Sequence, residues 1–437
     1  MNLVQRKMKP SGVDWIGDVP EGWNVTRFGY HATVKANLVE VDDYGSFPQI
    51  SPENIEKNTG RLLAHGTVED SGVISGNHLF KKGQILYSKI RPALNKVTIA
   101  PYPGLCCADM YPIETDEDTR FMVYLMLADC FVKQTETVAN MRIKMPKINQ
   151  GELSRIRIAL PPLDEQKRIA AKLDRLCGRV DELAENIKGE IAALQEYRKS
   201  LITECVTKGL NPKAKMKPSG VDWIGGVPEG WGIDKFCYRF DFAKGLNITK
   251  QDLTETGVPV VSYGQIHSKR NDGVHLTDEL LRHIPVELTK GEYAARLKRN
   301  DFVFADTSED VEGIGNCVTV NRDEAAYAGY HTLIARPIEK VDCGYFGYLF
   351  KSECWRQQLR RKANSVKVYS ISQRLFKGVS ILLPPLDEQS RIATFLDKRC
   401  AVIDAKIAER QRQLEKLGEY RSSVIYEYVT GKREVSA

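Results

Sequence analysis

Side chains that could perform catalysis occur in this sequence, but not in the spacings that catalysis uses. The chain contains no GxxxxGK[ST] phosphate loop, no GxGxxG dinucleotide turn, no GxSxG elbow and no HExxH zinc motif. Acid pairs such as Asp42–Asp43 and Glu309–Asp310 lie in polar loops, where carboxylates are usually solvated. We interpret the isolated histidines as structural or surface residues, among them His65, His78, His283 and His331. These patterns favour binding over catalysis.

The ten cysteines do not form a metal site or a disulfide framework in the sequence. Cys106 and Cys107 are adjacent, and no CxxC pair or Cys/His cluster with ligand spacing follows. We therefore predict buried, reduced thiols, no bound metal and a cytoplasmic location.

Length and charge set broad limits on the fold and its partners. The 437 residues suffice for two or three domains, and 27% of them are charged. The net charge of +6 permits a nucleic-acid partner without requiring one. No apolar run approaches the roughly 18 residues that span a bilayer, so we predict no membrane contact.

The elements that must position any binding residues occur twice. Residues 8–23 read MKPSGVDWIGDVPEGW and residues 216–231 read MKPSGVDWIGGVPEGW, differing only at Asp18 and Gly226. LPPLDEQKRIAAKLD from Leu160 likewise matches LPPLDEQSRIATFLD from Leu383. The chain is therefore a tandem duplication, with one copy at about residues 8–215 and the next from 216 to the end.

The inserts between these repeats differ in sequence but share a pattern. Residues 24–159 and 232–382 each contain strand, polar loop and strand, then a probable helix, then an alternating strand that runs into LPPL. The helices are predicted to begin near Asp118 and Cys343. The pattern predicts two mixed α/β domains of one fold with different surfaces.

A long helix follows each insert. Apolar residues recur every three or four positions over residues 164–207, from Ile169 through Leu183 to Tyr197 and Leu201, and again over residues 387–430. Arg399 and Arg410 interrupt the second stripe. Each stretch would extend roughly 66 Å at about 1.5 Å per residue. We predict an antiparallel coiled coil with one domain at each end; the alternative is two separate homodimerising coils.

Shorter motifs flank these helices. The prolines of LPPLDEQ end a strand, and Asp164 and Asp387 are predicted to cap the helices, so the motif is interpreted as a joint between domain and helix. The repeated Trp-rich segment holds four of the five tryptophans. We predict an irregular loop whose indoles pack against the frame; a docking surface is the alternative.

With two such inserts, each preceded by DWIGxVPEGW and followed by LPPLxEQ and a heptad helix, the sequence resembles a type I restriction-modification specificity (S) subunit over essentially its whole length. The resemblance implies an α+β fold: two mixed α/β target recognition domains joined by two long antiparallel coiled-coil helices, with pseudo-two-fold symmetry from the internal duplication. The corresponding parts are a first repeat segment at 1–23, recognition domains at 24–163 and 232–386, helices at 164–207 and 387–430, a linker with the second repeat segment at 208–231, and a tail at 431–437.

The resemblance also implies a function and partners. Each recognition domain would read one half of a bipartite target in double-stranded DNA, and the chain itself would be non-catalytic and hold no cofactor. Two methyltransferase (modification) subunits would use S-adenosylmethionine to methylate adenine, and two restriction/translocase subunits would use ATP and Mg. Two alternatives remain open: a stand-alone sequence-specific DNA-binding regulator, and an enzyme that lacks its catalytic half.

Candidate DNA contacts are polar and basic residues in turns of the two inserts, since phosphates attract Lys and Arg and base edges are read by placed Arg, Lys, Asn or Gln. In the first insert they are Lys89, Arg91, Asn95, Lys96, Arg142, Lys144, Lys147 and Gln150. In the second they are Lys362, Lys367, Tyr369, Ser372, Gln373 and Arg374, with Lys269, Arg270, Arg296 and Lys298 as weaker additions. The SEDVEG loop of the second insert is acidic where the first insert is basic, so the loop's role does not carry over directly.

Overall fold

The computed structural model describes residues 6–140, 145–323, 326–365 and 369–435. They form two compact units. Unit 1 comprises the chain up to residue 188 together with residues from 411 onward, and unit 2 comprises residues 189–410. Each unit therefore contains one of the two inserts, which we call recognition domains after the family resemblance, and one half of each long helix.

The first repeat folds into short strands that alternate with helices and end in one long helix. The strands are β1 Met8–Pro10, β2 Asp18–Pro20, β3 Asn24–Arg27, β4 Ala32–Val34, β5 Leu38–Val39, β6 Gln49–Ile50, β7 Asn77–Phe80, β8 Ile85–Ser88, β9 Val97–Ile99, β10 Gly104–Cys106, β11 Met110–Thr115 and β12 Arg157–Leu160. The helices are α1 Val68–Ser71, α2 Thr119–Leu127, α3 Asp129–Ala139, α4 Gln150–Arg155 and α5 Leu163–Lys208.

The second repeat follows the same plan with additional short strands. The strands are β13 Met216–Pro218, β14 Gly226–Pro228, β15 Gly232–Lys235, β16 Phe240–Lys244, β17 Val258–Val261, β18 Arg282–Ile284, β19 Phe302–Ala305, β20 Thr307–Ser308, β21 Cys317–Thr319, β22 Tyr327–Ala328, β23 Thr332–Pro337, β24 Asn364–Ser365, β25 Tyr369–Ser370 and β26 Ser380–Leu383. The helices are α6 Tyr263–Ile266, α7 Cys343–Lys351, α8 Glu353–Arg360, α9 Gln373–Lys377 and α10 Leu386–Val429.

A four-stranded antiparallel sheet lies at the centre of each recognition domain. Its strand order is β4-β11-β8-β9 in unit 1 and β16-β23-β19-β21 in unit 2. The four strands correspond one to one, which confirms the prediction of two domains of one fold. The sheet is buried on both faces because alternate side chains enter different cores. Phe302 and Phe304 of β19 pack with the domain helices, whereas Val303 packs in a second cluster.

A second, smaller sheet covers the other face of the central sheet. Its order is β5-β7-β10-β6 in unit 1 and β18-β17-β22 in unit 2, and both contain one parallel pair, β6 with β10 and β17 with β22. Leu86 of β8 packs beneath it with Ile50 and Phe80. Each domain is therefore an α+β body with helices on one side and a second sheet on the other.

The predicted single helix in each insert is wrong: the structure has two short helices at each place. Ala128 separates α2 from α3 with extended backbone angles (φ −73°, ψ 144°), and Ser352 separates α7 from α8 in the same way (φ −69°, ψ 150°). The change of direction lets both short helices bury apolar side chains, such as Phe121 and Phe131 in unit 1. A straight helix could turn only one stripe toward that core.

The joint predicted for LPPLDEQ is confirmed, with one correction. Strand β12 pairs with β3 and ends at the prolines, and α5 begins at Leu163. Asp164 is therefore inside the first turn and is not the N-cap, and the same holds for Asp387 in α10. The carbonyl of Pro162 accepts from Glu165 N–H and Gln166 N–H. Rigid prolines immediately before the helix leave no residue between strand and helix for a side-chain cap.

The repeated Trp-rich segment is more regular than predicted. β1 pairs with β2, and β13 with β14, so each copy is a short antiparallel hairpin rather than an irregular loop. Gly17 and Gly225 have positive φ (71° and 69°), which explains glycine at these positions. Trp23 and Trp231 are 1% exposed and pack into the cores of their units, as predicted.

The two long helices pair antiparallel within each unit. In unit 1, Arg421 Nε of α10 donates to Asp181 Oδ1 of α5 over 3.2 Å, and Val424 and Tyr428 pack in one core with Ile169 and Leu173. In unit 2, Arg198 of α5 is 3.0 Å from Asp404 of α10. The direction of pairing follows, since later residues of one helix meet earlier residues of the other.

Several predicted seam residues have other environments. Leu183 and Tyr197 are 52% and 48% exposed, because a stripe this wide exceeds what one partner helix covers. Arg399 is exposed, outside the seam, and Arg410 Nε pairs with Glu190 at 2.6 Å. Among the described residues no helix is long and apolar enough to cross a membrane.

Candidate functional site

Both recognition domains contain a short backbone hydrogen-bond ladder between two chain segments just beyond the central sheet. In unit 1, the chain leaving β8 meets the segment before α4: Ile148 N–H donates to Lys89 O over 2.9 Å, and Arg91 N–H donates to Pro146 O over 2.7 Å. In unit 2, the chain leaving β19 meets the segment before α9, and Ile371 N–H donates to Asp306 O over 2.7 Å. The structure thus brings together the two candidate groups that the sequence placed far apart.

A short helix begins directly after each ladder. Asn149 caps α4 by accepting from Glu152 N–H, and Ser372 caps α9 by accepting from Leu375 N–H. Gln150, Gln373 and Arg374 are exposed in the first turns of these helices. The two domains therefore present different exposed side chains from equivalent positions of one frame.

The first recognition domain presents some of its predicted residues and uses others internally. Arg91 is exposed and has a left-handed backbone (φ 46°). Lys147 and Gln150 are also exposed. Lys89 Nζ donates to Ala108 O over 2.6 Å and lies 5.4 Å from the centroid of the Tyr111 ring. Lys89 is thus partly engaged but remains at the surface.

Asn95 does not fit its predicted role. It is 4% exposed, and its amide donates to Leu127 O over 2.9 Å, so it anchors the loop to α2. Lys96 Nζ donates to Pro52 O over 2.5 Å and is half-buried. A polar residue in a basic loop resembles a ligand contact in sequence, and only its burial distinguishes the two roles. Arg142 and Lys144 lie outside the described residues.

In the second domain the predicted residues form one group near α9. Gln373 and Arg374 are exposed, Lys362 Nζ donates to Gly378 O over 2.9 Å, and Ser372 serves as the helix cap. Tyr369 is half-buried in β25, which pairs with β20. Lys367 lies outside the described residues.

The four weaker additions separate into two places. Lys269 and Arg270 are exposed just after α6. Nε2 of the nearby His267 lies 2.7 Å from Thr307 O. The two basic residues therefore lie near the end of β19 from which the ladder continues. Arg296 and Lys298 are exposed near the other end, where Lys298 N–H donates to Asp301 Oδ2. Arg296 and Lys298 therefore do not share a surface with α9.

A polar pocket of about 400 Å³ beside the ladder of unit 2 was missed by sequence reasoning. It is lined by Tyr263, Gly264, His267, Ser308, Glu309, Asp310, Glu312, Gly313, Asn316 and Arg356. The acidic SEDVEG loop forms one wall. The loop was visible in the sequence, but Arg356 was not, because it lies on α8, far along the chain.

Burial shifts the pKa values of several potentially reactive side chains. The ten cysteines are free thiols, and burial raises the pKa of Cys205 and of Cys354 to about 11, which keeps these thiols protonated at neutral pH. Burial lowers the pKa of Lys351 to about 8, but its ammonium donates to Asp272 O. Within the described ranges no group of three or more His, Cys, Asp or Glu side chains could hold a metal ion.

Comparison with known proteins finds one family in both halves of the chain. The model of the type I restriction modification DNA specificity domain matches residues 25–193 and again residues 240–416. The EcoDI type I restriction enzyme specificity subunit of Escherichia coli is 35% identical over 208 residues, or 48% of this chain and 46% of that subunit. The chain thus aligns with about half the length of that relative.

Other relatives align over nearly the full length. The MjaVIII specificity subunit of Methanocaldococcus jannaschii is 24% identical over 435 residues, covering 95% of this chain and 94% of that protein. A solved chain from a study of the assembly and conformational transition of the type I R-M system has a TM-score of 0.69 at 18% identity. That likeness covers 95% of this chain and 99% of the solved chain and shows a common fold.

Proposed function

The chain belongs to the family of type I restriction modification DNA specificity domains and carries two of them. On this premise we propose that it is the subunit that determines the DNA sequence specificity of a type I restriction-modification complex. Each recognition domain reads one half of a bipartite target in double-stranded DNA. The observation that carries this proposal is the equivalent ladder in each domain, which presents different side chains from the same frame.

The proposed contacts are the exposed members of the predicted set. In unit 1 they are Arg91, Lys147 and Gln150, with Lys89 free to exchange its contact with Ala108 O for a phosphate. In unit 2 they are Gln373, Arg374, Lys362, Lys269 and Arg270. A wrong base pair in either half should cost on the order of 1 to 3 kcal/mol. Because both readers are on one chain, the second contact is intramolecular, and two weak readers give one tight site.

Two copies of one methyltransferase subunit are the proposed protein partners. Buried residues of the repeated hairpins, such as Trp23 and Trp231, are accounted for by packing. Asp14 with Asp222 and Glu21 with Glu229 are exposed yet identical, although the inserts have diverged. The tryptophans next to these aspartates differ, since Trp15 is 46% exposed and Trp223 is half-buried. Equivalent outward surfaces suit a partner that binds twice, and two restriction/translocase subunits complete the proposed complex.

Catalysis is assigned to these partners. We propose that this chain binds no cofactor of its own, that S-adenosylmethionine serves the methyltransferase subunits, and that ATP and Mg serve the translocases. The proposal includes a cytoplasmic location, where DNA and these partners occur together. A stand-alone regulator is not favoured, because both halves of the chain match a family of restriction-complex subunits.

The test is a genome-wide map of methylated adenines in a host that expresses this chain with its neighbouring methyltransferase gene, compared with the same host without this chain. We expect a new split motif with two short specific parts and a fixed gap. An assembled complex that adds no such motif would overturn the proposal. Tight sequence-specific DNA binding by the purified chain alone would instead support the stand-alone regulator.

A further inference from the structure

The pocket beside the second ladder combines features that the general reading role does not explain. Its wall is the loop Ser308–Gly313, which follows β20 where the first domain has Arg91 and Lys96. The side chains of Glu309 and Glu312 are exposed. The carboxylates of this loop would repel DNA phosphates. They can contribute to DNA binding only if they accept hydrogen bonds from donors on the DNA bases.

The loop is held in a fixed shape. Gly313 N–H donates to Asp310 Oδ1 over 2.6 Å, and Ser308 Oγ donates to Asp310 O over 2.7 Å. A Cβ on Gly313 would lie 2.5 Å from Ser308 Oγ and 2.9 Å from the His267 ring, so the loop packs closely here. Asp310 is thus used within the loop, whereas Glu309 and Glu312 have exposed side chains.

Two arginines of α8 support the loop through its backbone. Arg360 Nε donates to Val311 O over 3.0 Å, and Arg356 donates to Glu312 O over 3.1 Å. Arg360 forms its ion pair with Glu353 at 2.6 Å. The guanidinium groups therefore bind loop carbonyls, while Glu309 and Glu312 line the pocket with exposed side chains.

A second observation concerns Arg356, which lines the pocket and is half-buried. Its terminal nitrogens donate to Glu312 O and to Asn316 Oδ1, whereas its buried Nε has no hydrogen-bond partner among the described residues. Burial lowers the pKa of Arg356, which reflects the cost of holding a cation there. The pocket lining therefore combines a guanidinium that is not fully paired with two exposed glutamates.

The chemistry of the pocket matches one class of ligand edge. In the major groove, adenine shows the N6 amino donor next to the N7 acceptor, and a C·G pair shows the cytosine N4 amino donor next to the guanine O6 acceptor. Glutamate accepts from such amino groups. Two glutamates and one arginine in the same lining therefore suit a base edge that carries an amino donor next to an acceptor.

We propose that Glu309 and Glu312 determine specificity in the second half-site by accepting a hydrogen bond from the amino group of an adenine or cytosine, with Arg356 holding their loop in place. This inference rests on the proposed function. It assigns base reading to an acidic loop of one domain, in contrast to the basic loop of the other.

The experiment uses the assembled methyltransferase complex with Glu309→Ala, Glu312→Ala and the double variant, because alanine removes the acceptor, whereas glutamine would keep one. Adenine methylation is mapped for each, with Glu287→Ala as the matched control, since Glu287 is an exposed acid of the same unit outside the pocket. We expect preference at one adenine or cytosine position of the second half-site to fall about 10-fold. The first half-site and the control should keep the wild-type motif.

A binding measurement then tests the amino group itself. Duplexes carry purine for adenine, or 2-pyrimidinone for cytosine, at the position that the map identifies. The wild-type complex should lose about 10-fold in affinity for the analogue, and the double variant should bind both duplexes equally. Unchanged motifs in all three variants, or equal losses in wild type and variant, would overturn this inference. A wild-type complex that methylates no split motif would overturn the proposed function instead.

Discussion

At the residue scale, the near-identical repeats are explained by the contacts of a few side chains. Trp23 Nε1 donates to Glu165 Oε2 over 3.2 Å, and Trp231 Nε1 donates to Glu388 Oε2 over 3.0 Å. The glutamine that follows each glutamate accepts from the backbone N–H of Asp118 or Asp342. The EGW and LPPLxEQ motifs are therefore two sides of one joint that fixes each recognition domain to its helix.

The joint predicts unequal effects of the same substitution in the two units. Glu165 accepts hydrogen bonds from Trp23 and from the Arg6 guanidinium, the latter at 2.7 and 3.0 Å, so Glu165→Ala removes both interactions. Glu388→Ala removes the hydrogen bond from Trp231. We expect Glu165→Ala to cost about 1 to 3 kcal/mol of unfolding free energy, and Glu388→Ala less. Urea unfolding measures both. Glu182→Ala, at an exposed site on α5, should be nearly neutral, and an equal loss there would contradict this explanation.

A second residue-scale prediction concerns pH. His275 Nδ1 lies 2.8 Å from Asp272 Oδ2, and this hydrogen bond raises the pKa of His275 above 6.5, with Asp397 raising it further and Lys351 opposing. Burial would raise the pKa of Asp272, but hydrogen bonds from His275 and the backbone outweigh it and lower the pKa to about 2. The histidine's contribution is thus complete below pH 6.5 and is lost as pH rises through its raised pKa.

We therefore expect His275→Gln to lower the melting temperature more at pH 6 than at pH 9. The Asp272 contribution remains throughout this range, because it is lost only as pH falls toward 2. Thermal unfolding at several pH values gives the result. In an Asp272→Asn background the His275→Gln difference should depend much less on pH, since only the weaker effect of Asp397 remains; an undiminished dependence would contradict the role of Asp272.

At the element scale, the long helices are fixed by both apolar packing and a few buried charges. Arg421 of α10 is 7% exposed and donates to three groups: Asp181 of α5, Asn58 O and Thr59 O. One side chain therefore links both helices of unit 1 to its recognition domain. Heptad spacing alone does not predict this role of Arg421, because an arginine within an apolar stripe is normally interpreted as a break in the helix–helix contact.

Arg421→Ala should cost about 1.5 to 3 kcal/mol, because it leaves two carbonyls and a carboxylate without their charged donor. The loss should appear in the unfolding of unit 1, followed by denaturant titration. Arg399→Ala, an exposed arginine of the same helix, is the matched control and should change stability by at most about 0.5 kcal/mol. Equal effects of the two substitutions would show that burial of Arg421 is unimportant.

At the scale of the whole molecule, duplication explains how one chain carries two domains of one fold. Unit 1 is assembled from residues up to 188 and from 411 onward, so its frame needs both ends of the described chain, whereas unit 2 is continuous. Within each unit the frame is shared and the insert differs. On the proposed function we expect recognition to be modular, because each insert contacts its frame through joint residues that both repeats retain.

Modularity predicts the outcome of a domain exchange. Replacing residues 24–159 with the insert of another family member should change one half of the methylated motif and leave the other half and the gap unchanged, since the frame and the second insert are untouched. Methylome mapping with the native methyltransferase partner measures this. A change in both halves would contradict independent reading by the two domains.

The sequence by itself determined the duplication, the two α/β inserts, the long helices and the family resemblance, because these follow from repeated letters and local periodicity. It also located the basic turn before α4 and the acidic loop after β19. Only the tertiary structure decided that Asn95 is a buried anchor, that each insert helix bends at Ala128 or Ser352, and that Arg356 lies beneath the acidic loop. Those outcomes depend on contacts between residues far apart in the chain, which no local pattern encodes.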